Sequence, residues 1–223
     1  MGATMLHYLQ NLFQALDLAA LTDALVRMAA VFLCLTVHEV CHGLAAYALG
    51  DPTAKSMHRL SLNPLRHIDW FGLVMMFAAG FGWAKPVPVD PRYFKKPKQG
   101  MALTALAGPV SNLLLAVLLI AVSETIYLYA PYNMLWSRLF TFCLYTAAPL
   151  SVGLGLFNLL PIPPLDGSKV AAVLLPDRAY LKLMRYERYG ILVLLLLSWM
   201  GLTGGLIDGA IMGVYTALFN LIY

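Results

Sequence analysis

From Ala24 to Leu49 the chain is apolar for longer than the about 20 residues a helix needs to cross a bilayer, yet this run contains His38, Glu39 and His42. A charged side chain at mid-membrane costs about 2.5 kcal/mol or more, so ionisable groups there need a reason. His38 and His42 are one helical turn apart and offer their ring nitrogens on one face to a single cation. Glu39 follows His38 directly. In the pattern H-E-x-x-H two histidines hold zinc and the glutamate serves as base toward a water molecule. The bland alternative is a packed knot of polar groups; the apolar flanks at 28–35 and 43–49 weigh for a metal.

Of 223 residues 61% are hydrophobic and only 12% charged, against about 25% charged in soluble domains. This composition implies an integral membrane protein, one domain of roughly five to seven helical passes with no room for a folded soluble appendage. The net charge of +4 then concerns lipid and topology. Aromatic-interleaved basic patches are absent, so nucleic acid is not an expected partner. Cys34, Cys41 and Cys143 form an odd set in apolar runs with no C-x-x-C, which argues against a disulfide framework. Cys41 points about 100° away from His42 on a helix and is assigned to packing. No cleavable signal is expected, because residues 1–10 lack a basic start followed by a long apolar core.

Residues 1–23 have apolar groups at helical spacing among Gln10, Asn11, Gln14, Asp17 and Asp23, and are expected to form an amphipathic interfacial segment. The first span follows from 24 and stops at Gly50-Asp51-Pro52. The polar stretch 51–69 carries Lys55, Arg59 and Arg66, and its His58 and His67 lack a partner at ligand spacing, which assigns them to the interface. Residues 70–83 are apolar but shorter than the about 17 needed to cross, and the loops on both sides are basic, so a re-entrant segment is expected. Next, Lys85, Pro86, Val87, Pro88 and Val89 alternate in a way that suits an extended edge strand. Its prolines remove donors from one edge and leave the Val87 and Val89 amides free to pair with an extended peptide. The same residues equally suit a proline-rich interfacial loop.

The long apolar run 101–130 contains Gly108, Pro109 and Asn112. Asn112 puts an amide in the membrane, for helix packing or for function. Glu124, near Tyr127 and Tyr129, is expected at the outer interface. The turn at 130–133 is poor in basic residues and reads as external, and the chain returns through 136–160 to NLLPIPPLDG. Pro161, Pro163 and Pro164 forbid a regular helix there, and irregular backbone at membrane depth is tolerated where it lines a polar cavity, here flanked by Asn158 and Asp166. The loop 168–189 is basic again, so Asp166 and the two histidines approach the same leaflet and form a His, His, carboxylate set with one position left for water. Residues 190–223 place Gly201, Gly205, Gly209 and Gly213 at every fourth position: one helix with a small-residue face that a second copy could use, or a break near 203–208.

These motifs, taken in order, resemble the site-2 protease family of intramembrane zinc metalloproteases over most of the chain. HEVCH at 38–42 is similar to its H-E-x-x-H, GPVSN at 108–112 to its G-x-x-x-N, and NLLPIPPLDG at 158–167 to its N-x-x-P-x-x-x-x-D-G. HRLSLNPLRHID resembles the GRLTLNPL of compact bacterial members, and FGWAKPVPVD their membrane-associated β-strand loop. The resemblance implies one zinc ion held by His38, His42 and Asp166, Glu39 as general base, and Asn112 and Asn158 holding substrate or the developing oxyanion. It also implies single-span membrane proteins as substrates, reached through the strand 85–89, and a multi-pass location in a bacterial inner membrane with the active site toward the cytoplasm. An inserted PDZ domain is not seen. The expected fold is an all-α polytopic helical bundle with a re-entrant segment and a short β-strand or loop. A single domain, 1–223, would divide into the amphipathic segment 1–23, a catalytic core 24–167, and a cytoplasmic loop with C-terminal helices, 168–223.

Two rivals remain at this level. A metal or ion transporter also uses broken helices and buried carboxylates, but needs no glutamate beside the first ligand. A catalytically silent scaffold with a buried zinc site would bind partners through the glycine face.

Overall fold

The first described helix, α1, spans Leu18–Ala48 without interruption across the junction near residue 24. Neither glycine nor proline occurs between Leu18 and Arg27, so residues 18–23 continue the span instead of forming a separate interfacial helix. The computed structural model describes residues 18–79, 84–176, 178–180, 182, 185, 190, 192, 196 and 204–223. The amphipathic expectation for 1–17, the tip at 80–83 and Gly201 lie outside these residues. α1 ends where Gly50 takes a φ of 105°. Its N–H bonds to the Tyr47 carbonyl at 3.1 Å and the Asp51 N–H to the Ala46 carbonyl at 2.9 Å, the paired closure of a left-handed glycine cap.

After a single turn at Thr53–Ser56, α2 covers Trp70–Ala79. Its ten described residues rise about 15 Å, half the hydrocarbon thickness. Two long helices follow, α3 at Pro97–Tyr129 and α4 at Met134–Asn158; with α1 they are the described helices long and apolar enough to span a membrane. Pro109 lies inside α3, which continues through it. α1 and α3 pack most extensively against each other, and α4 closes the bundle. Their common core is Ala30, Cys34, Leu115, Leu119, Ile120, Cys143, Leu144, Ala147 and Ala148, a set rich in small side chains that lets the backbones approach.

α4 widens to a π turn at Phe142–Ala147. Neighbours take carbonyls of this turn: the Tyr215 hydroxyl donates to Leu144 O at 2.8 Å and the Cys34 thiol to Ala147 O at 3.7 Å. Beyond Asn158 the chain is irregular as far as α5, Asp166–Ala172, with a cis peptide between Pro163 and Pro164. The last described helix, α6, is Gly204–Ile222 and packs on α4 and α3, while among the described residues no atom lies within 4 Å of a Cβ added to Gly209 or Gly213.

The fold is all-α and polytopic, but the expected β-strand does not form. Among the described residues the β pairing is one isolated bridge, Ile68 to Ala84, after which 85–90 runs extended. Pro86 and Pro88 have no N–H to offer on one edge. On the other edge the donors turn inward: Lys85 N–H to His67 O at 2.9 Å and Val87 N–H to Glu39 Oε2 at 2.8 Å. The Val87 amide expected to be free is therefore engaged.

Candidate active site

The helical spacing of His38 and His42 in α1 turns both rings toward α3 and the start of α5. Their Nε2 atoms are 2.9 Å apart, and each lies 3.1 Å from Asp166 Oδ2. All three groups are buried. His42 Nδ1 donates to the Thr104 carbonyl at 2.7 Å, a group that only accepts, so the neutral ring presents a lone pair at Nε2. Two imidazole nitrogens, one of them with its lone pair inward, and a carboxylate oxygen thus converge on one point, a donor set that suits a cation. Ligand atoms around a tetrahedral zinc stand about 3.4 Å from one another, slightly more than the edges seen here, so the set fits zinc with a fourth position open.

The helices supply this convergence through missing side chains. A Cβ on Gly108 would lie 2.5 Å from His42 Nε2 and 2.7 Å from His38 Cε1, so glycine is what lets α3 rest against both rings. A Cβ on Gly167 would lie 2.1 Å from Leu159 O, so Asp166 reaches the histidines only because the next residue lets the proline turn fold back tightly. Asn112, one turn beyond Gly108, is fully buried; its side-chain nitrogen lies 3.1 Å from His38 Nδ1, and its backbone carbonyl accepts from the Ser151 hydroxyl at 2.8 Å.

A cavity of about 650 Å3 opens on the triad. Its wall includes Glu39, Pro86, Val87, Val89, Asn158 and Lys169. Glu39 shares this space with the ligand set while its Oε2 holds the Val87 amide. Asn158 faces the cavity with its nitrogen donated to Leu154 O at 3.0 Å. Asn112 does not line the cavity, nor do Lys85, Pro88 or Cys41. Alongside lies a second, almost wholly apolar recess of about 390 Å3 between α1, α4 and the 64–73 segment, sharing Leu35, Asp69, Ala84, Leu154 and Phe157 with the first.

The sequence reading missed the residues that hold the extended segment in place. Buried Arg59 donates to Lys85 O at 2.7 Å and Pro86 O at 3.4 Å. Fully buried Asp51 accepts from the Thr53 N–H at 2.9 Å and from the Asp90 N–H at 2.7 Å. Beyond this tie, the Arg92 guanidinium and backbone N–H hydrogen-bond Asp90 and hold its carboxyl below the usual carboxylate range. Gly43, on the same face as Glu39 one turn on, admits Val87: a Cβ there would lie 3.2 Å from the valine side chain and 2.5 Å from Leu60. The legible signals were a glycine directly after HEVCH and an arginine set against the leucines of HRLSL. His67, assigned to the interface, is in fact buried, with its Nε2 donating to Ser61 O at 2.7 Å.

Comparison with known proteins agrees with this geometry. The profile of peptidase family M50 matches residues 121–200, which include Asp166. The chain is 41% identical over 167 residues to "Putative zinc metalloprotease YwhC" of Bacillus subtilis (strain 168), an alignment covering 73% of this chain and 74% of that protein. It is 32% identical over 200 residues to "Putative zinc metalloprotease Rip2" of Mycobacterium tuberculosis (strain ATCC 25618 / H37Rv), covering 86% of this chain and 71% of that one. No solved structure matches the chain. On the strength of these relatives and of the motifs now seen to meet in space, the chain belongs to peptidase family M50, the site-2 protease family of intramembrane metalloproteases.

Proposed function

We propose that this chain hydrolyses peptide bonds within single-span membrane segments, using one zinc ion held by His38, His42 and Asp166 and using Glu39 as general base. The observation that carries the reading is the convergence of three ligand atoms within 4.8 Å of one another, with Glu39 on the wall of the same cavity. Zinc, when bound, supplies the Lewis acid that polarises a carbonyl and makes water a nucleophile near neutral pH. The chain's own residues do the rest. Glu39 takes the proton of the attacking water and returns it to the leaving amine. Asn158 stands in the cavity wall where it can orient the scissile peptide.

A membrane-spanning helix hides its amide bonds, so a substrate must unwind before it is cut. The wall formed by Pro86, Val87 and Val89 supports docking of that unwound stretch, and the apolar recess beside it suits the side chains such a segment brings. A substrate carbonyl that reaches the Val87 amide would take the place of Glu39 Oε2 and leave the carboxylate for the water. Arg59, Lys85 and Lys169, in the basic loops of the sequence, come from the same end of the bundle as the site, which supports a cytoplasm-facing site in a bacterial cell membrane.

The test is reconstitution in liposomes with a panel of single-span substrates. Glu39→Gln is expected to keep its zinc and lose cleavage, and Asp166→Ala to lose both. Zinc-linked ion flux without proteolysis in the parent would overturn the reading in favour of a transporter.

A further inference from the structure

We infer that Asn112 acts on the metal site from behind, as the hydrogen-bond acceptor that fixes the ring of His38, and does not touch substrate. The inference rests on the ligand set proposed above and assigns a role within it. Three observations carry it. Asn112 has 0% exposure and takes no part in the cavity wall. Its amide meets His38 at Nδ1, the ring nitrogen away from Asp166. Its Oδ1 is buried with no partner as it stands.

The donor and acceptor chemistry then decides the orientation. His38 can offer Nε2 as a ligand in its neutral form only with the proton on Nδ1, as the Thr104 carbonyl enforces for His42. An amide NH2 donates and cannot receive that proton. The side-chain amide must therefore present Oδ1 to His38 Nδ1–H, a half-turn about its terminal bond that gives the unpartnered oxygen a donor. Such an outer partner fixes both the tautomer and the plane of a ligating imidazole.

The surrounding helices hold Asn112 to this task. Gly108 brings α3 against both rings, and Asn112 follows one turn later on the same face. Ser151 grips the Asn112 carbonyl, and a Cβ on Gly155 would lie 3.0 Å from Pro109 O, so α4 presses on this turn of α3 from the other side. The spacing G-x-x-x-N thus has a physical content here: closeness from the glycine and an acceptor from the asparagine.

Aspartate accepts but does not donate, and leucine matches the size of asparagine with neither capacity. On the full chain in detergent, zinc affinity is read by chelator competition, the ligand field by the visible spectrum of the cobalt-loaded protein, and cleavage on a single-span substrate. Asn112→Leu should lose about 10- to 100-fold in zinc affinity. Asn112→Asp should rescue zinc affinity, the cobalt spectrum and cleavage. Cleavage abolished in Asn112→Asp with zinc affinity intact would mean that the asparagine NH2 serves the substrate, and would overturn the inference. Parental zinc affinity in Asn112→Leu would overturn it as well. Should Asn112→Leu fail to fold, the aspartate variant decides alone, because acceptor and donor roles part at that substitution. A parent chain that binds no zinc would instead sink the proposed metal site itself.

Discussion

The backbone amide of Val87 donates to Glu39 Oε2 at 2.8 Å, linking residues 48 positions apart in the chain and making the wall of the cavity a hydrogen-bond partner of the proposed base. A hydrogen bond to a charged group contributes about 1.5–3 kcal/mol. Val87→Pro removes the donor while leaving an extended backbone that proline adopts readily. Cleavage should fall about 10- to 100-fold with zinc content unchanged, measured by metal analysis beside a cleavage assay. Unaltered cleavage would dismiss both the docking edge and any role of the amide in aiming Glu39.

Gly108→Ala puts a methyl group where two imidazoles already stand. Overpacking of this kind costs about 1–3 kcal/mol, and relief here means moving α3 off the histidines. Zinc affinity should fall at least about 10-fold, together with the melting temperature. An alanine variant with parental metal affinity would show that the α3 contact does not shape the site.

Arg59 lies outside the motifs that bear the ligand set, and its guanidinium holds two carbonyls at the start of the extended segment. Arg59→Met keeps the apolar stem and leaves those carbonyls without their donor, at a cost of about 1–3 kcal/mol. The expected result is a lower melting temperature and slower cleavage at full zinc occupancy. Loss of zinc in this variant would mean that the wall and the metal ligands form one structural unit.

Gly153 lines the apolar recess, where, among the described residues, an added Cβ meets only the Ile211 side chain, at 3.2 Å. Gly153→Leu should fill part of the space. If the recess receives a substrate side chain, peptides with a bulky apolar residue near the cut should lose about 10-fold more cleavage than their alanine counterparts, since one or two methylenes are worth about 1–3 kcal/mol. Equal losses for both would assign the recess to lipid or to packing.

A chelator should destabilise the parent and leave Asp166→Ala indifferent. Bound metal at 100 times its dissociation constant contributes about 2.7 kcal/mol. Thermal unfolding with and without chelator reads the difference, and identical shifts in both proteins would place the stabilising metal elsewhere.

The three side chains that converge were legible in the sequence because each rests on a local rule. The two histidines are one turn apart, and Asp166 follows a proline run that must leave the helix. The three spans were legible from apolar length. The extended segment was read with the right residues and the wrong surroundings, since periodicity says which edge has amides but not which distant side chain takes them. Glu39, Arg59 and Asp51 engage 85–90 across long stretches of chain, and no local pattern encodes such pairings. The same holds for Asn112: its place in the membrane was visible, whereas its partner on the back of His38 depends on how closely α3 lies against α1.

The glycine cap at the end of α1 has a mechanical meaning. It delivers Asp51 to the far end of the extended segment, while Glu39 holds the middle of it, so the cavity wall is tied to the same helix that bears both imidazoles. A bilayer of different thickness tilts its spanning helices. Tilting of α1 would move Glu39, both imidazoles and the segment bonded to them in the same direction, so lipid thickness would alter the depth of the site more than the distances within it.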